Sequence, residues 1–114
     1  MSGLLAELLV AYAATVAVET PTLWFGLARH HPARTRLLAG VLLSAATLPI
    51  VWLVLPTVLI TSVGETATIA VAEAFAPVAE CGLFRLMVGA TMTRRDTAAI
   101  VTANLLSFAA GLLA

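Results

Sequence analysis

The sequence predicts an all-α fold: an integral membrane four-helix bundle with both termini outside the cell. The first observation behind this prediction is composition, which is 61% hydrophobic and only 11% charged. A soluble domain usually has about a quarter charged residues, so this chain has too little polar surface to cover itself in water. We therefore expect residues 1–114 to form one transmembrane domain, multi-pass in the cell membrane, with the lipid bilayer as its partner.

The second observation is a series of four apolar runs. They cover approximately Leu4–Leu27, Leu37–Ile60, Thr66–Ala90 and Thr97–Ala114. A spanning helix needs about 20 residues, so the first three are long enough and the fourth is marginal. The second run has no charged residue, whereas the first and third contain internal acids. A re-entrant third segment is therefore the main alternative to four spans.

The third observation is the distribution of arginine among the short connections. The connection Ala28–Arg36 contains three arginines and Thr91–Asp96 contains two, but Thr61–Thr66 contains none. Cytoplasmic loops carry an excess of Arg and Lys. The first and third connections are therefore predicted to lie inside the cell, and the middle connection and both termini outside.

The two halves of the chain also share a coarse pattern. Each half reads as a helix that contains an acid, an arginine loop and a helix with polar residues in its first half. Such a pattern is typical of a parallel two-helix repeat, as found in some transporters. The alternative is that the halves share hydropathy and nothing more.

Four polar residues are predicted to lie at one depth in the membrane. With a rise of about 1.5 Å per residue, Glu19 lies about 12–14 Å from the cytoplasmic ends of the helices, Glu80 and Thr47 about 15 Å, and Asn104 about 12 Å. This level is close to the midplane of a hydrocarbon core of about 30 Å. Each helix therefore contributes one hydrogen-bonding side chain to a predicted intramembrane site.

Prolines and a further acid extend this predicted site. Glu73 and Glu80 are separated by about two helical turns and project from one face, with Pro77 between them. Proline leaves the carbonyl four residues earlier without its helical partner; for Pro77 that carbonyl belongs to Glu73, and for Pro21 it belongs to Ala17. Carbonyls freed in this way can hold ions inside a membrane.

The function predicted from these residues is that of a small membrane transporter or channel. An ionised carboxylate facing lipid is costly, and either protonation or a bound cation reduces the cost. Glu19, Glu73, Glu80, Asn104 and Thr47 are therefore predicted to bind a cation or to exchange protons. Their oxygen atoms favour protons or hard cations over soft metals. The identity of any metal is left open, and no cofactor is predicted.

The same residues bear on other functional classes. The main alternative is a membrane accessory or assembly subunit whose buried acids pair with partner helices. An enzyme is not expected, because no nucleophile–base pair, HExxH motif or phosphate loop is present. Nucleic-acid binding is not expected either, because the chain has no extended basic patch. Four short helices enclose little volume, so a path between protomers, and hence a homo-oligomer, is expected.

The sequence predicts structural positions, rather than functional ones, for the histidine pair and the single cysteine. His30 and His31 are adjacent in a loop before a proline, a position where side chains are usually exposed, although an ion-entry site is the alternative. Cys81 is expected to be a small packing residue, since a single cysteine forms no intramolecular disulfide.

Overall fold

The computed structural model describes residues 2–113, which form helices joined by short connections. The helices are α1 (Ser2–Gly26), α2 (Ala33–Pro49), α3 (Leu55–Val88) and α4 (Arg94–Leu113), with a π-helical segment at Ile50–Val54 and a 3-10 turn at Gly89–Thr91. Among these residues there is no strand. The predicted all-α class is therefore confirmed.

The residues from Ala33 to Thr91 form one helical run that folds back on itself. A straight helix of 59 residues would be about 88 Å long, but the longest dimension of the molecule is 44 Å. Thr47 and Glu80 are 33 residues apart in this run, yet their side chains are hydrogen-bonded at 3.0 Å. The run therefore consists of two arms that lie side by side.

The reversal occurs at Gly64. This residue has φ 84° and ψ 173°, the one backbone conformation inside α3 that is not helical. That region of φ/ψ space is essentially restricted to glycine, because a Cβ would clash with the backbone. The predicted connection at Thr61–Thr66 is thus reduced to a single residue, with helix continuing on both sides of it.

Three helical stretches are long and apolar enough to cross a membrane, namely Gly3–Gly26, Ala33–Thr91 and Arg94–Leu113. The sequence predicted four runs. The difference arises because the second and third runs are joined through Gly64 without a loop. The second run also begins earlier than predicted, at Ala33. Ala114, the predicted end of the fourth run, lies outside the described residues.

Close packing between α1 and its neighbours holds the bundle together. Helix α1 lies against both α2 and α4. A Cβ at Gly40 in α2 would lie 2.8 Å from the Cα of Thr20, so only glycine permits this approach of α1 and α2. The fully buried apolar core has contributions from all four helices and comprises Leu23, Leu27, Ala39, Leu43, Phe84, Ala99, Ile100 and Ala103.

Neither Pro21 nor Pro77 interrupts its helix. Both lie inside continuous helices, and Gly64 is the position in α3 where the backbone departs from helical geometry. Pro49 differs, because α2 passes directly into the π-helical segment after it. A π-helical turn accommodates a local mismatch in hydrogen bonding without ending the helix.

Both arginine-containing connections lie at the same end of the molecule, where they cap α1. Arg95 donates from Nε to the Gly26 carbonyl at 2.9 Å and from a guanidinium amine to the Phe25 carbonyl at 3.1 Å. Arg36 donates to the Trp24 carbonyl at 3.0 Å and lies 4.4 Å from the centre of the Trp24 ring. These guanidinium groups satisfy carbonyls that the end of a helix leaves unpaired. We refer to this end as the arginine end and to the opposite end as the Gly64 end.

Candidate functional site

The glutamate cluster is centred on Glu80, which is 1% exposed. Thr47 Oγ1 lies 3.0 Å from Glu80 Oε2 and donates to it, with the Leu43 carbonyl at 3.1 Å as its alternative acceptor. Asn104 Nδ2 donates to Glu80 Oε1 at 3.3 Å and to the Ile100 carbonyl at 2.9 Å. Each carboxylate oxygen of Glu80 therefore has one donor from a different helix.

Glu19 completes the cluster from α1 and is 2% exposed. Its carboxyl group lies within hydrogen-bonding reach of Glu80 and beside the Ser44 hydroxyl. However, Glu19 Oε1 and Ser44 Oγ are both buried without a hydrogen-bond partner among the described residues. Buried polar atoms are nearly always paired, so an unpaired carboxylate oxygen is consistent with a site that takes a proton, an ion or another ligand.

A cavity of about 700 Å³ leads to this cluster and is bounded by all four helices. It extends from Glu65 and Leu112 at the Gly64 end down to Glu19 and Glu80. Apolar side chains provide most of its surface, and Trp52 lies in its wall. Its further lining includes Thr15, Val18, Val51, Ile60, Thr68, Ile69, Asn104, Ser107, Phe108 and Gly111.

The arginine end of the molecule is closed by the apolar core. On each helix the core residues lie on the arginine side of the cluster: Leu23 follows Glu19 in α1 and Phe84 follows Glu80 in α3. Ile100 precedes Asn104 in α4, and all three of these core side chains are 0% exposed. The cavity therefore reaches the Gly64 end, and the carboxyl groups lie at its opposite, closed end.

Glu73 lies in the wall of the cavity rather than in the cluster. It is half-buried, on the α3 face that also presents Glu80, and nearer the Gly64 end. Thr68, which is 4% exposed, lines the cavity beyond it and donates to the Gly64 carbonyl at 2.7 Å. Glu73 is thus a second acidic position along the cavity, as the spacing of the two acids in the sequence indicates.

The structure brings together four of the five residues predicted for the site: Glu19, Glu80, Thr47 and Asn104. Glu73 is the fifth and is connected to them through the cavity. Ser44, the neighbour of Glu19, was not among the predicted site residues, although it is one helical turn before Thr47 and so shares its face. The cavity lies within a single chain, whereas a path between protomers was expected because four short helices enclose little volume. The homo-oligomer remains a prediction.

A second polar cluster, centred on Asp96 at the arginine end, was not predicted. Asp96 is 0% exposed. Its Oδ1 accepts from the Ala28 amide at 2.8 Å, and its Oδ2 accepts from the Thr93 amide and from His31 Nε2, each at 2.8 Å. Thr93 Oγ1 accepts in turn from the Asp96 amide at 3.2 Å, which makes a capping box at the start of α4. The sequence signal was the Thr-x-x-Asp spacing before an apolar run.

The expectation that both histidines are exposed is wrong for His31. His31 is 3% exposed, because its ring packs edge-on against Phe84 and is hydrogen-bonded to Asp96. His30 is exposed and pairs with the Thr91 carbonyl at 2.8 Å. Possible metal-ligand atoms of His30, His31 and Asp96 lie within 4.8 Å of one another. Since Asp96 is already fully hydrogen-bonded to protein groups, we interpret this cluster as a clasp between the two arginine-containing connections.

The glutamate cluster has the groups needed to hold and release a positive charge. Two carboxyl groups, a hydroxyl and an amide converge at the end of a cavity with apolar walls.

No protein-family model, curated protein or solved structure matches this chain.

Proposed function

We propose that this protein is a small integral membrane transporter or channel whose intramembrane carboxylates, Glu19 and Glu80, bind a cation or exchange protons. Thr47 and Asn104 hold the carboxylate of Glu80 in place. Glu73 is a second station on the route between the Gly64 end and the cluster.

The observation that carries this proposal is the position of the two buried acids at the closed end of the cavity. Purely structural acids tend to have all their oxygen atoms paired, as Asp96 does. Glu19 instead has a buried oxygen without a partner, in the wall of a cavity that is accessible from one end. Burying a carboxylate without a partner is costly, so a function in binding explains the presence of Glu19 better than a structural role does.

Insertion in the membrane is supported by the distribution of apolar and polar side chains. The outer surface exposes large apolar groups, for example Val78 at 74%, Leu86 at 83% and Leu113 at 89%. Glu19 and Glu80 are among the most buried side chains of the molecule. In water such an exterior would form an extended aggregation-prone patch, whereas in a bilayer it is the surface expected to contact lipid.

We further propose that the two arms of the run Ala33–Thr91 cross the membrane separately. Each arm is longer than the roughly 20 residues that a span needs, and the two arms turn at Gly64. Together with α1 and α4 they give four spans with both arginine-containing connections on one side. By the distribution of arginine this side is cytoplasmic, which places both termini outside.

The test is ion and proton flux in vesicles that contain the purified protein. Glu19→Gln and Glu80→Gln keep the size of each side chain but remove its charge, and the double variant is expected to abolish flux of protons or of the transported cation. Glu7→Gln is the matched control, because Glu7 is an exposed acid of α1 outside the cavity. It should retain wild-type flux.

Wild-type flux in the double variant would contradict the assignment of Glu19 and Glu80. If the pure protein gives no flux and gentle detergent extraction recovers a stoichiometric partner, the accessory-subunit alternative takes its place. In that case the same two variants should lose the partner, since its helices would pair with these acids.

A further inference from the structure

We propose that the cavity takes a monovalent organic cation with an apolar body, and that its charged group binds against the carboxyl pair of Glu19 and Glu80. This inference rests on the proposed function and specifies the class of substrate. It is argued from the size of the cavity, the chemistry of its walls and the charge at its closed end.

The size of the cavity is the first reason. Its volume of about 700 Å³ lies within the range of about 300–1,000 Å³ that is typical of pockets for drug-sized molecules. A metal ion held by protein ligands needs its donor atoms within about 2.0–2.6 Å on several sides. The carboxyl groups of Glu19 and Glu80 instead lie at one end of a space many times larger than an ion.

The walls of the cavity are the second reason. Between the cluster and the Gly64 end they are mainly aliphatic, with Trp52 and Phe108 as aromatic members. An inorganic cation would meet few oxygen ligands along these walls, chiefly those of Glu73, Thr68 and Ser107, whereas an apolar organic body gains free energy there. The aromatic faces also attract a positive charge carried by an organic group.

The charge at the closed end is the third reason, and it indicates that the bound cation carries one positive charge. Glu19 and Glu80 lie within hydrogen-bonding reach of each other. Two ionised carboxyl groups so close together repel each other strongly, so we assign one proton to the pair, which leaves a single negative charge. One cationic group then neutralises the pair, and the unpartnered Glu19 Oε1 is the acceptor that remains free for it.

The direct test is equilibrium binding of tetraphenylphosphonium to the wild-type protein in lipid nanodiscs. Tetraphenylborate has nearly the same size and shape with the opposite charge, and tetramethylammonium has the charge without the apolar body. Empty nanodiscs correct for partitioning into lipid. Saturable binding is expected for tetraphenylphosphonium. The affinity for each of the other two ions should be weaker than that for tetraphenylphosphonium by roughly tenfold or more.

Two variants assign the binding to this cavity. The double variant Glu19→Gln/Glu80→Gln is expected to weaken tetraphenylphosphonium binding roughly tenfold or more, because it removes the single negative charge of the carboxyl pair. Gly111→Phe places a ring at the mouth of the cavity, where a Cβ meets no atom within 4 Å, and should also weaken it. Gly82→Phe is the matched control, since Gly82 has equally open surroundings but does not line the cavity.

The wild-type comparison alone overturns the inference if tetraphenylphosphonium binds no better than tetraphenylborate or tetramethylammonium. Unchanged binding in the double variant Glu19→Gln/Glu80→Gln or in Gly111→Phe overturns it as well. If flux of protons or a small cation still depends on Glu19 and Glu80 in that case, the proposed function stands and only the substrate class is wrong. Loss of the glutamate dependence itself would instead remove the proposed function.

Discussion

Single residues determine how the arginine end is held together. Asp96 accepts hydrogen bonds from the Ala28 amide, the Thr93 amide and the His31 ring, and thereby joins the loop after α1 to the start of α4. Its carboxylate is buried but has a donor for each oxygen, which is the condition under which a buried charge is tolerated. Glu19 differs in this respect, since one of its oxygens has no donor.

Asp96→Ala is predicted to destabilise the protein on the order of 3 kcal/mol, because it leaves buried donors unsatisfied. The measurement is the thermal unfolding midpoint in detergent, which should fall clearly below that of the wild type. Glu7→Ala is the control at an exposed acid and should leave the midpoint almost unchanged. Equal midpoints for the two variants would show that the clasp contributes little to stability.

At the scale of the elements, the reversal at Gly64 determines how the two arms of the long helical run pack against each other. A conformation that is essentially restricted to glycine allows the two arms to lie side by side, which brings Thr47 within reach of Glu80. No loop is needed, because helix resumes directly after this residue. The continuity of α1 and α3 through Pro21 and Pro77 leaves Gly64 as the main point of direction change.

Gly64→Ala is predicted to destabilise the folded-back arrangement by roughly 1–3 kcal/mol, because a Cβ is strained at this φ and ψ. The measurement is again the unfolding midpoint, combined with a distance measurement between spin labels on the two arms. Gly82→Ala is the matched control: Gly82 lies inside the helix with open space around it, so alanine should stabilise the helix by about 0.5–1 kcal/mol. A Gly64→Ala protein as stable as Gly82→Ala would contradict the role assigned to Gly64.

At the scale of the whole molecule, the main feature is a cavity that reaches the Gly64 end and stops at the carboxyl cluster. The carboxyl cluster lies between this cavity and the apolar core, so access from the Gly64 end differs from access from the arginine end. A transporter that alternates access would pass through this arrangement and through one in which the core opens. The clasp at Asp96 lies on the closed side, together with the arginine caps of α1.

One-sided access predicts one-sided labelling of the cavity. In a Cys81→Ser background, Ala72→Cys lies in the cavity wall and should react with a membrane-impermeant maleimide from the side of the Gly64 end only. Ala103→Cys lies in the fully buried core and is the control that should react slowly from both sides. Ser62→Cys and Arg34→Cys report which side each end faces. Equal labelling of Ala72→Cys from both sides would contradict the closed arginine end.

Much of the fold and part of the candidate site could be predicted from the sequence. The apolar runs gave the helical class, and counting depths along the helices placed Glu19, Thr47, Glu80 and Asn104 at one level, where the structure has them in contact. Both results depend on the fixed rise of a helix, which converts spacing into position. Whether these residues transport a cation stays a prediction.

Other features depended on contacts between segments far apart in the sequence. The burial of His31 and Asp96 was not predicted, because it arises where two loops meet across 65 residues. The single-residue reversal at Gly64 was predicted as a six-residue loop, since composition locates a turn but does not fix its backbone angles.

The sequence by itself thus determined the helical class, the apolar exterior and the common depth of the polar residues, because periodicity and composition act along one helix at a time. Only the tertiary structure decided that the cavity lies inside one chain, that its arginine end is closed and that Glu19 has an unpaired oxygen. These properties depend on which helix faces meet, and that is set by close contacts such as Gly40 against Thr20 rather than by any local pattern.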